Sequence, residues 1–161
     1  MQFERHLMAA EGYFELGMFI DAWKELDKIT LNLKTNLLVI SLRVAILMRL
    51  KRWQDALEIL DRLSRIVPGR PENYIQAAVC LHELNQTVAA REKLLSGPKA
   101  LESYATYHYN LACYETVMGN INNGKKHLRR ALDLDQSFAS YAVLDPELKP
   151  IIQCWKKPNV I

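Results

Sequence analysis

The stretch from Leu50 to Leu60, Leu-Lys-Arg-Trp-Gln-Asp-Ala-Leu-Glu-Ile-Leu, joins two apolar helical patterns. A short polar break, Lys51 and Arg52, separates the end of one pattern from the start of the next. A small residue, Ala56, lies one turn into the second pattern. Alone, the stretch predicts a helix, a turn and a second helix. Its significance depends on what stands at a fixed distance from it in both directions.

A spacing of 34 residues returns side chains of the same kind along most of the chain. The small residues form the columns Ala10, Val44, Ala78, Ala112 and Ala22, Ala56, Ala90, Gly124, and the large apolar residues form Leu16, Leu50, Leu84, Met118 and Leu26, Leu60, Leu94, Leu128. Chance rarely supplies several such columns in one register. A fixed period of this length with helix–turn–helix content indicates a stacked helical repeat.

On these columns the sequence resembles the tetratricopeptide repeat (TPR) family, in which small residues mark the close crossing of the two helices of each repeat. Gly and Asn readily end a helix in the left-handed conformation. The Gly-like turn position of the family falls on Gly17, Lys51, Asn85 and Gly119. The resemblance implies an all-α, right-handed superhelical solenoid of four TPR-like helix-turn-helix repeats, residues 3–36, 37–70, 71–104 and 105–138. Residues 139–161 are expected to form C-terminal capping helices and a tail.

Apolar periodicity and helix-ending residues predict the individual elements. The predicted helices span residues 3–16, 19–30, 36–50, 53–66, 72–84, 87–96, 103–118 and 121–134, with shorter ones over 137–144 and 146–155. Asp145 followed by Pro146 is a typical helix start. Gly97 stands where the family has a small helical residue, so we expect looser packing around it. Gly124 costs about 1 kcal/mol relative to Ala inside a helix.

Composition places the chain among globular proteins. Half of its 161 residues are apolar, and the formal net charge of +3 does not by itself imply nucleic acid or membrane. No signal-peptide pattern is visible, and the most apolar run, residues 37–50, is shorter than the ~20 residues that span a bilayer. Cys80, Cys113 and Cys154 lack CxxC spacing, which favours free thiols in a reducing compartment. We therefore expect a cytoplasmic protein.

Enzyme motifs are missing from the sequence. There is no GxxxxGK[ST], GxGxxG, HExxH or GxSxG, and no pair of cysteines at zinc-ligand spacing. The sequence thus predicts no enzyme, no cofactor and no metal site. The alternatives are a metal site where His82 approaches His108, and Cys113 as a nucleophile rather than a buried structural thiol. One basic cluster lacks interleaved aromatics and is interpreted as a solvated face rather than a nucleic-acid site: Lys125, Lys126, Arg129 and Arg130.

The resemblance also implies where a partner would bind. In the TPR family the first helix of each repeat lines a concave groove, and its second, fifth, ninth and twelfth residues share the face toward a bound peptide. These positions are Glu4, Leu7, Glu11 and Phe14; Leu38, Ser41, Ala45 and Met48; Glu72, Ile75, Val79 and His82; and Thr106, Tyr109, Cys113 and Thr116. The alternative is that some of these side chains belong to the core between helices.

The predicted groove differs from that of TPR domains that clamp a chaperone's terminal carboxylate. Leu7 and Glu11 stand where those domains have Lys and Asn, and Glu11 would repel a carboxylate. The predicted floor is apolar, and Met48 and Tyr109 suit contacts with partner chains. We therefore expect a non-catalytic protein–protein interaction module or scaffold that binds a peptide or helix segment of another protein, with no nucleic acid and no membrane insertion. The alternative is a self-assembling, homo-oligomeric or secretion-chaperone-like TPR subunit.

Overall fold

Helices make up the regular secondary structure of the part of the chain described here. The computed structural model describes residues 2–30 and 34–155, with the backbone alone for Trp155. The helices are α1 (Gln2–Glu15), α2 (Phe19–Asp27), α3 (Leu37–Arg49), α4 (Trp53–Ile66), α5 (Pro71–Glu83), α6 (Thr87–Leu95), α7 (Ala105–Val117), α8 (Ile121–Leu134), α9 (Phe138–Leu144) and α10 (Lys149–Trp155). Short 3₁₀ turns at Lys99–Ser103 and Pro146–Leu148 precede α7 and α10. The predicted all-α class is confirmed.

Most helix ends lie within one residue of the predicted ends, and three differ by more. The helix expected over 146–155 begins at Lys149, because Pro146–Leu148 forms a 3₁₀ turn. The helix expected to reach Thr30 ends at Asp27. The helix expected to begin at Ser103 begins at Ala105, because Lys99–Ser103 forms a 3₁₀ turn in which the Tyr104 N–H donates to the Leu101 carbonyl over 2.9 Å. Each predicted repeat spans one pair of helices, and the division into four repeats stays a prediction. The expected tail, residues 156–161, lies outside the described residues.

The four turns spaced 34 residues apart share one geometry. Their φ angles are positive: 75° at Gly17, 56° at Lys51, 61° at Asn85 and 86° at Gly119. At each turn this residue's N–H donates to the carbonyl three residues earlier, and the next N–H donates to the carbonyl five residues before it, over 2.7–3.0 Å. This pair of bonds is the Schellman motif, which satisfies the last carbonyls of a helix. The sequence period is therefore also a structural period, and Lys51 adopts the same conformation as the glycines.

Residues 1–65 form one of two compact units. Ala10 of α1 and Ala22 of α2 are fully buried, as the small-residue columns predict, and α3 adds Val39 and Ile46 to the same core. Because small side chains let helix backbones approach closely, the repeated spacing of small residues is a packing requirement. At the edge, the guanidinium of Arg43 lies 2.7 Å from the Asp27 carboxylate and 4.5 Å from the centre of the Trp23 ring.

Residues 66–161 form the second unit, with a separate core. The helix pairs α5–α6 and α7–α8 meet at Ala78, Ala90 and Ala112, all fully buried. The predicted cap contributes Leu148 and Ile151, which are also fully buried in this core. The C-terminal elements therefore cover apolar surface that α7 and α8 would otherwise expose, as the end of a repeat array requires. Whether Trp155 packs inward, as the sequence suggests, lies outside the described side chains.

Two glycines of this unit stand at close contacts. The expectation of looser packing at Gly97 is wrong, because a Cβ there would overlap the Leu101 side chain and lie 3.0 Å from the Tyr74 ring. At Gly124 a Cβ would lie 2.5 Å from Thr116 Oγ1. Neither position can hold a larger residue without displacing a neighbour.

Of the helices in the described ranges, none combines the length and apolar character that crossing a membrane needs.

Candidate functional site

An open pocket of about 850 Å³ lies between α7 and α9 in the C-terminal unit. Its α7 side consists of Thr106, Tyr109 and Asn110. Its α9 side consists of Phe138, Tyr141 and Leu144, with Asp135, Ser137, Asp145 and Pro146 at the ends of that helix. The volume falls within the range of about 300–1,000 Å³ that is typical of ligand pockets. We call these residues the α7–α9 pocket.

Aromatic rings form one wall of the α7–α9 pocket. The ring centres of Tyr109 and Phe138 lie 4.9 Å apart, and those of Phe138 and Tyr141 lie 6.2 Å apart. Both separations are typical of attractive aromatic pairs. Tyr141 remains 64% exposed and Leu144 83% exposed. Large apolar side chains that stay in solvent beside a pocket often mark a surface that another molecule covers.

The charged residues that line the α7–α9 pocket are both acidic, Asp135 and Asp145. Hydrogen bonds from Ser137 hold the pKa of Asp135 below its usual value. Asp145 accepts a hydrogen bond of 2.8 Å from the Tyr109 hydroxyl, and burial together with this bond raises the pKa of Tyr109 far above its usual value. The Asn110 side-chain nitrogen is buried without a hydrogen-bond partner in the part of the chain described. The pocket therefore offers carboxylates and apolar surface, with no lysine or arginine among its lining residues.

A cluster of titratable side chains lies behind Asp145. The Cys113 Sγ donates to Asp145 Oδ2 over 3.7 Å, and His82 Nε2 lies 2.7 Å from Glu147 Oε1. The hydrogen bond with Glu147 raises the pKa of His82 against the opposing effect of burial. Burial and the two carboxylates raise the pKa of Cys113 far above its usual value. The Cys113 thiol is thus protonated at neutral pH and is not an activated nucleophile.

The predicted groove residues of the C-terminal unit fall into different environments. Glu72 and Thr106 are exposed, and Ile75, Val79, His82 and Tyr109 are half-buried. Cys113 and Thr116 are buried at 5% exposure each. His82, Tyr109 and Cys113 all meet the Asp145–Glu147 segment, so the chain's own C-terminal region covers this stretch of the predicted groove face.

The predicted groove residues of the N-terminal unit divide between core and surface. Leu7 is 7% exposed and belongs to the core, and the Phe14 ring packs against that core, 5.5 Å from the Phe19 ring. Both fit the alternative that some of these side chains are interhelical. The others are open or partly open: Glu4, Glu11 and Leu38 are exposed, and Ser41, Ala45 and Met48 are half-buried.

Sequence reasoning missed the α9 side of the pocket. Residues 137–144 were interpreted only as a cap, yet Phe138, Tyr141 and Leu144 face the pocket. The available signal was their spacing of three residues, which aligns them on one helix face. The predicted approach of His82 to His108 is wrong. His108 Nδ1 lies 3.2 Å from His127 Nδ1, and His82 hydrogen-bonds Glu147 instead.

The remaining candidates are His127 beside His108, the basic cluster on α8 and the three cysteines. Burial and the neighbouring His108 lower the pKa of His127. Lys126, Arg129 and Arg130 of the basic cluster are exposed, and Lys125 is half-buried. Cys80 and Cys113 are buried free thiols, and Cys154 is an exposed one. Burial raises the pKa of Cys80 to about 11, so this thiol is also protonated at neutral pH.

Comparison with known proteins identifies the fold. No family model matches the chain, and no curated protein matches it. Among solved structures, MamA 41-end from Desulfovibrio magneticus RS-1 has a TM-score of 0.71 at 18% identity, covering 83% of this chain and 76% of that chain. The MamA RS-1 ArsTM double mutant has a TM-score of 0.69 at 18% identity, covering 83% and 75%. The MamA MSR-1 C2 structure has a TM-score of 0.67 at 16% identity, covering 84% and 78%.

These likenesses establish an all-helical, TPR-like solenoid fold for this chain. At 16–18% identity they concern the fold alone. The 34-residue period, the repeated Schellman turns and the buried small-residue columns independently agree with that fold. One fold hosts many functions, so the fold alone does not define what this chain does.

Proposed function

We propose that this chain is a non-catalytic protein–protein interaction module of the TPR family, and that a peptide segment of a partner protein binds in the α7–α9 pocket. The observation that carries the proposal is the exposed aromatic and aliphatic wall of Tyr141 and Leu144 beside two predicted groove residues, Thr106 and Tyr109. TPR domains bind through the first helix of a repeat, and α7 is that helix in the fourth predicted repeat. Protein–protein interfaces are enriched in aromatic residues, and this wall has that composition.

The chemistry of the partner follows from the lining. Apolar surface on α9 favours an aliphatic or aromatic anchor in the bound segment. The carboxylates of Asp135 and Asp145 favour a lysine or arginine beside that anchor, since opposite charges steer and orient binding. An acidic segment would be repelled. The expected ligand is therefore a short basic and apolar segment rather than the acidic chain end that chaperone-clamping TPR domains bind.

A phage-displayed peptide library selected against the purified chain tests the proposal. We expect enriched sequences that combine an apolar anchor with Lys or Arg. Tyr141→Asp should reduce binding of the selected peptides at least tenfold, because it places a charge on the apolar wall. Val88→Asp is the matched control, since Val88 is an exposed apolar residue on α6 in the same unit. Circular dichroism confirms that both variants remain helical.

Two outcomes would contradict the proposed function. One is the absence of any enriched peptide, and the other is equal binding by the wild type and Tyr141→Asp. Light scattering on the same samples distinguishes the self-assembly alternative. If the exposed face of α9 pairs with a second copy, the wild-type mass will rise with concentration and Tyr141→Asp will remain a monomer.

A further inference from the structure

Three potential metal-ligand atoms converge where the Pro146–Leu148 turn lies against α7. The Cys113 Sγ and one carboxylate oxygen each from Asp145 and Glu147 all lie within 4.8 Å of one another. With bonds of about 2.0–2.3 Å, a tetrahedral zinc ion separates its ligands by roughly 3.3–3.8 Å. The 3.7 Å between Cys113 Sγ and Asp145 Oδ2 already satisfies this geometry. Side-chain rotation of Glu147, which lies at the partly exposed edge, can supply the rest.

His82 lies beside these three side chains and hydrogen-bonds one of them. His82 Nε2 lies 2.7 Å from Glu147 Oε1, and its other ring nitrogen, Nδ1, lies 3.0 Å from the Thr87 hydroxyl. The ring also packs against Tyr114, with centres 4.7 Å apart. Carboxylates that bind a metal ion are characteristically hydrogen-bonded by a second side chain in this way. His82 therefore orients the Glu147 carboxylate without being one of the three converging ligands.

The charges of the cluster favour a divalent cation. Cys113 is 5% exposed, and its thiol is directed toward two carboxylates. In the described ranges no lysine or arginine forms an ion pair with Asp145 or Glu147, and the imidazole of His82 is their one ion-pair partner. Two carboxylates with one titratable imidazole leave an excess of negative charge at a partly buried position, beside the buried Cys113 thiol. A cation bound among these oxygens would neutralise it.

We propose that Cys113, Asp145 and Glu147 form a zinc-binding site that fastens the C-terminal segment to α7, with water as the fourth ligand. A thiolate ligand together with carboxylates suits Zn²⁺ rather than Mg²⁺ or Ca²⁺. On binding, the Cys113 S–H bond breaks and a sulfur–zinc bond forms, and the thiol proton passes to solvent. A pocket of about 250 Å³ lined by His82, Thr87 and Glu147 gives the ion access from solvent.

This site does not depend on the proposed peptide binding, although the two share Asp145, which also lines the α7–α9 pocket. The ion would brace one wall of that pocket, whatever the pocket binds. The sequence could not suggest such a site, because Cys113 and Asp145 lie 32 positions apart and no zinc-motif spacing joins them.

Cobalt titration of the metal-free, reduced chain tests the proposal. We expect one equivalent of Co²⁺ to produce the near-ultraviolet charge-transfer absorption of a thiolate ligand, and Zn²⁺ to displace it. Cys113→Ala should abolish this absorption. Cys154→Ala is the matched control and should retain it, because Cys154 is the exposed free thiol of α10. Affinity should rise with pH, since the thiol must lose its proton.

Glu147→Gln provides a second variant that does not depend on tolerance of a substitution in the core. Glu147 lies in a partly exposed 3₁₀ turn, and losing its charge should weaken Co²⁺ binding at least tenfold. Zinc should also raise the melting temperature of the wild type and leave that of Cys113→Ala unchanged. The proposal is overturned if the wild type gives no thiolate absorption with Co²⁺, or if Cys113→Ala gives the same absorption as the wild type.

Discussion

Lys51 has a left-handed backbone conformation that glycine adopts more readily than lysine. It has a φ of 56° at a turn where the equivalent positions hold Gly17, Asn85 and Gly119. A side chain with a Cβ is strained in this conformation by about 1–2 kcal/mol, and glycine is not. The lysine is accepted because the Schellman bonds and the two flanking helices determine the backbone there.

We therefore expect Lys51→Gly to increase the free energy of unfolding by about 1 kcal/mol. Chemical denaturation followed by circular dichroism measures this change. Lys51→Ala removes the same long side chain but keeps the Cβ, so it should leave stability nearly unchanged. If both variants are equally stable, the strain at this turn is absent.

Glu115 is a residue whose role only the structure reveals. Its carboxylate is buried in α7, where Arg91 Nε donates over 2.5 Å and Asn120 Nδ2 donates over 2.8 Å. Burial would raise the pKa of Glu115, but these hydrogen bonds outweigh it and the pKa lies below its usual value. Nothing in the sequence marks this glutamate among many exposed ones. Its partners lie on α6 and at the turn before α8, and their approach depends on how the helices pack.

At the scale of elements, replacing a helical glycine by alanine should have opposite effects on stability in α1 and α8. Gly12 has open space where a Cβ would be, and Gly124 lies against Thr116, Ile151 and the Ala112 carbonyl. Gly12→Ala should therefore stabilise the chain by about 0.5–1 kcal/mol through helix propensity. Gly124→Ala gains the same propensity but must separate α7 from α8, so we expect a net loss of about 1–3 kcal/mol.

Melting temperatures of the two variants measured side by side check this prediction, with each acting as the other's control. Gly12→Ala should melt higher than the wild type and Gly124→Ala lower. A rise in both would mean that the α7–α8 crossing can relax around a methyl group. The close approach at the small-residue column would then not be a requirement of the fold.

The sequence could predict the elements but not all of their contacts. Helix ends at Gly17, Asn85 and Gly119 were predictable, because turn chemistry is local and the 34-residue columns locate it. The crowding around Gly97 was not, because it depends on Leu101 lying in a 3₁₀ turn rather than a helix. The hydrogen bonds Tyr109–Asp145 and His82–Glu147 join residues that lie 36 and 65 positions apart in the sequence. Such contacts follow from packing, for which periodicity gives no signal.

At the scale of the whole molecule, the chain consists of two units with separate cores, residues 1–65 and 66–161. Repeat proteins gain stability mainly from contacts between neighbouring helices, so a stretch with several packed pairs can fold alone. The second unit contains α5–α8 and the C-terminal cap, including the fully buried Leu111 and Leu148. The α7–α9 pocket lies entirely within it.

We therefore predict that residues 66–161 fold alone, unfold cooperatively on heating and bind the same library-selected peptides as the full chain. A shorter fragment, residues 84–161, is the control: it removes α5, and with it Ala77, Ala78 and Cys80 from the core, so it should unfold without a cooperative transition. Circular dichroism melts and peptide titrations measure both properties. A fragment of residues 66–161 that lacks a cooperative transition would mean that its core needs the first unit. A folded fragment that binds no selected peptide would mean that α7 and α9 do not suffice for recognition.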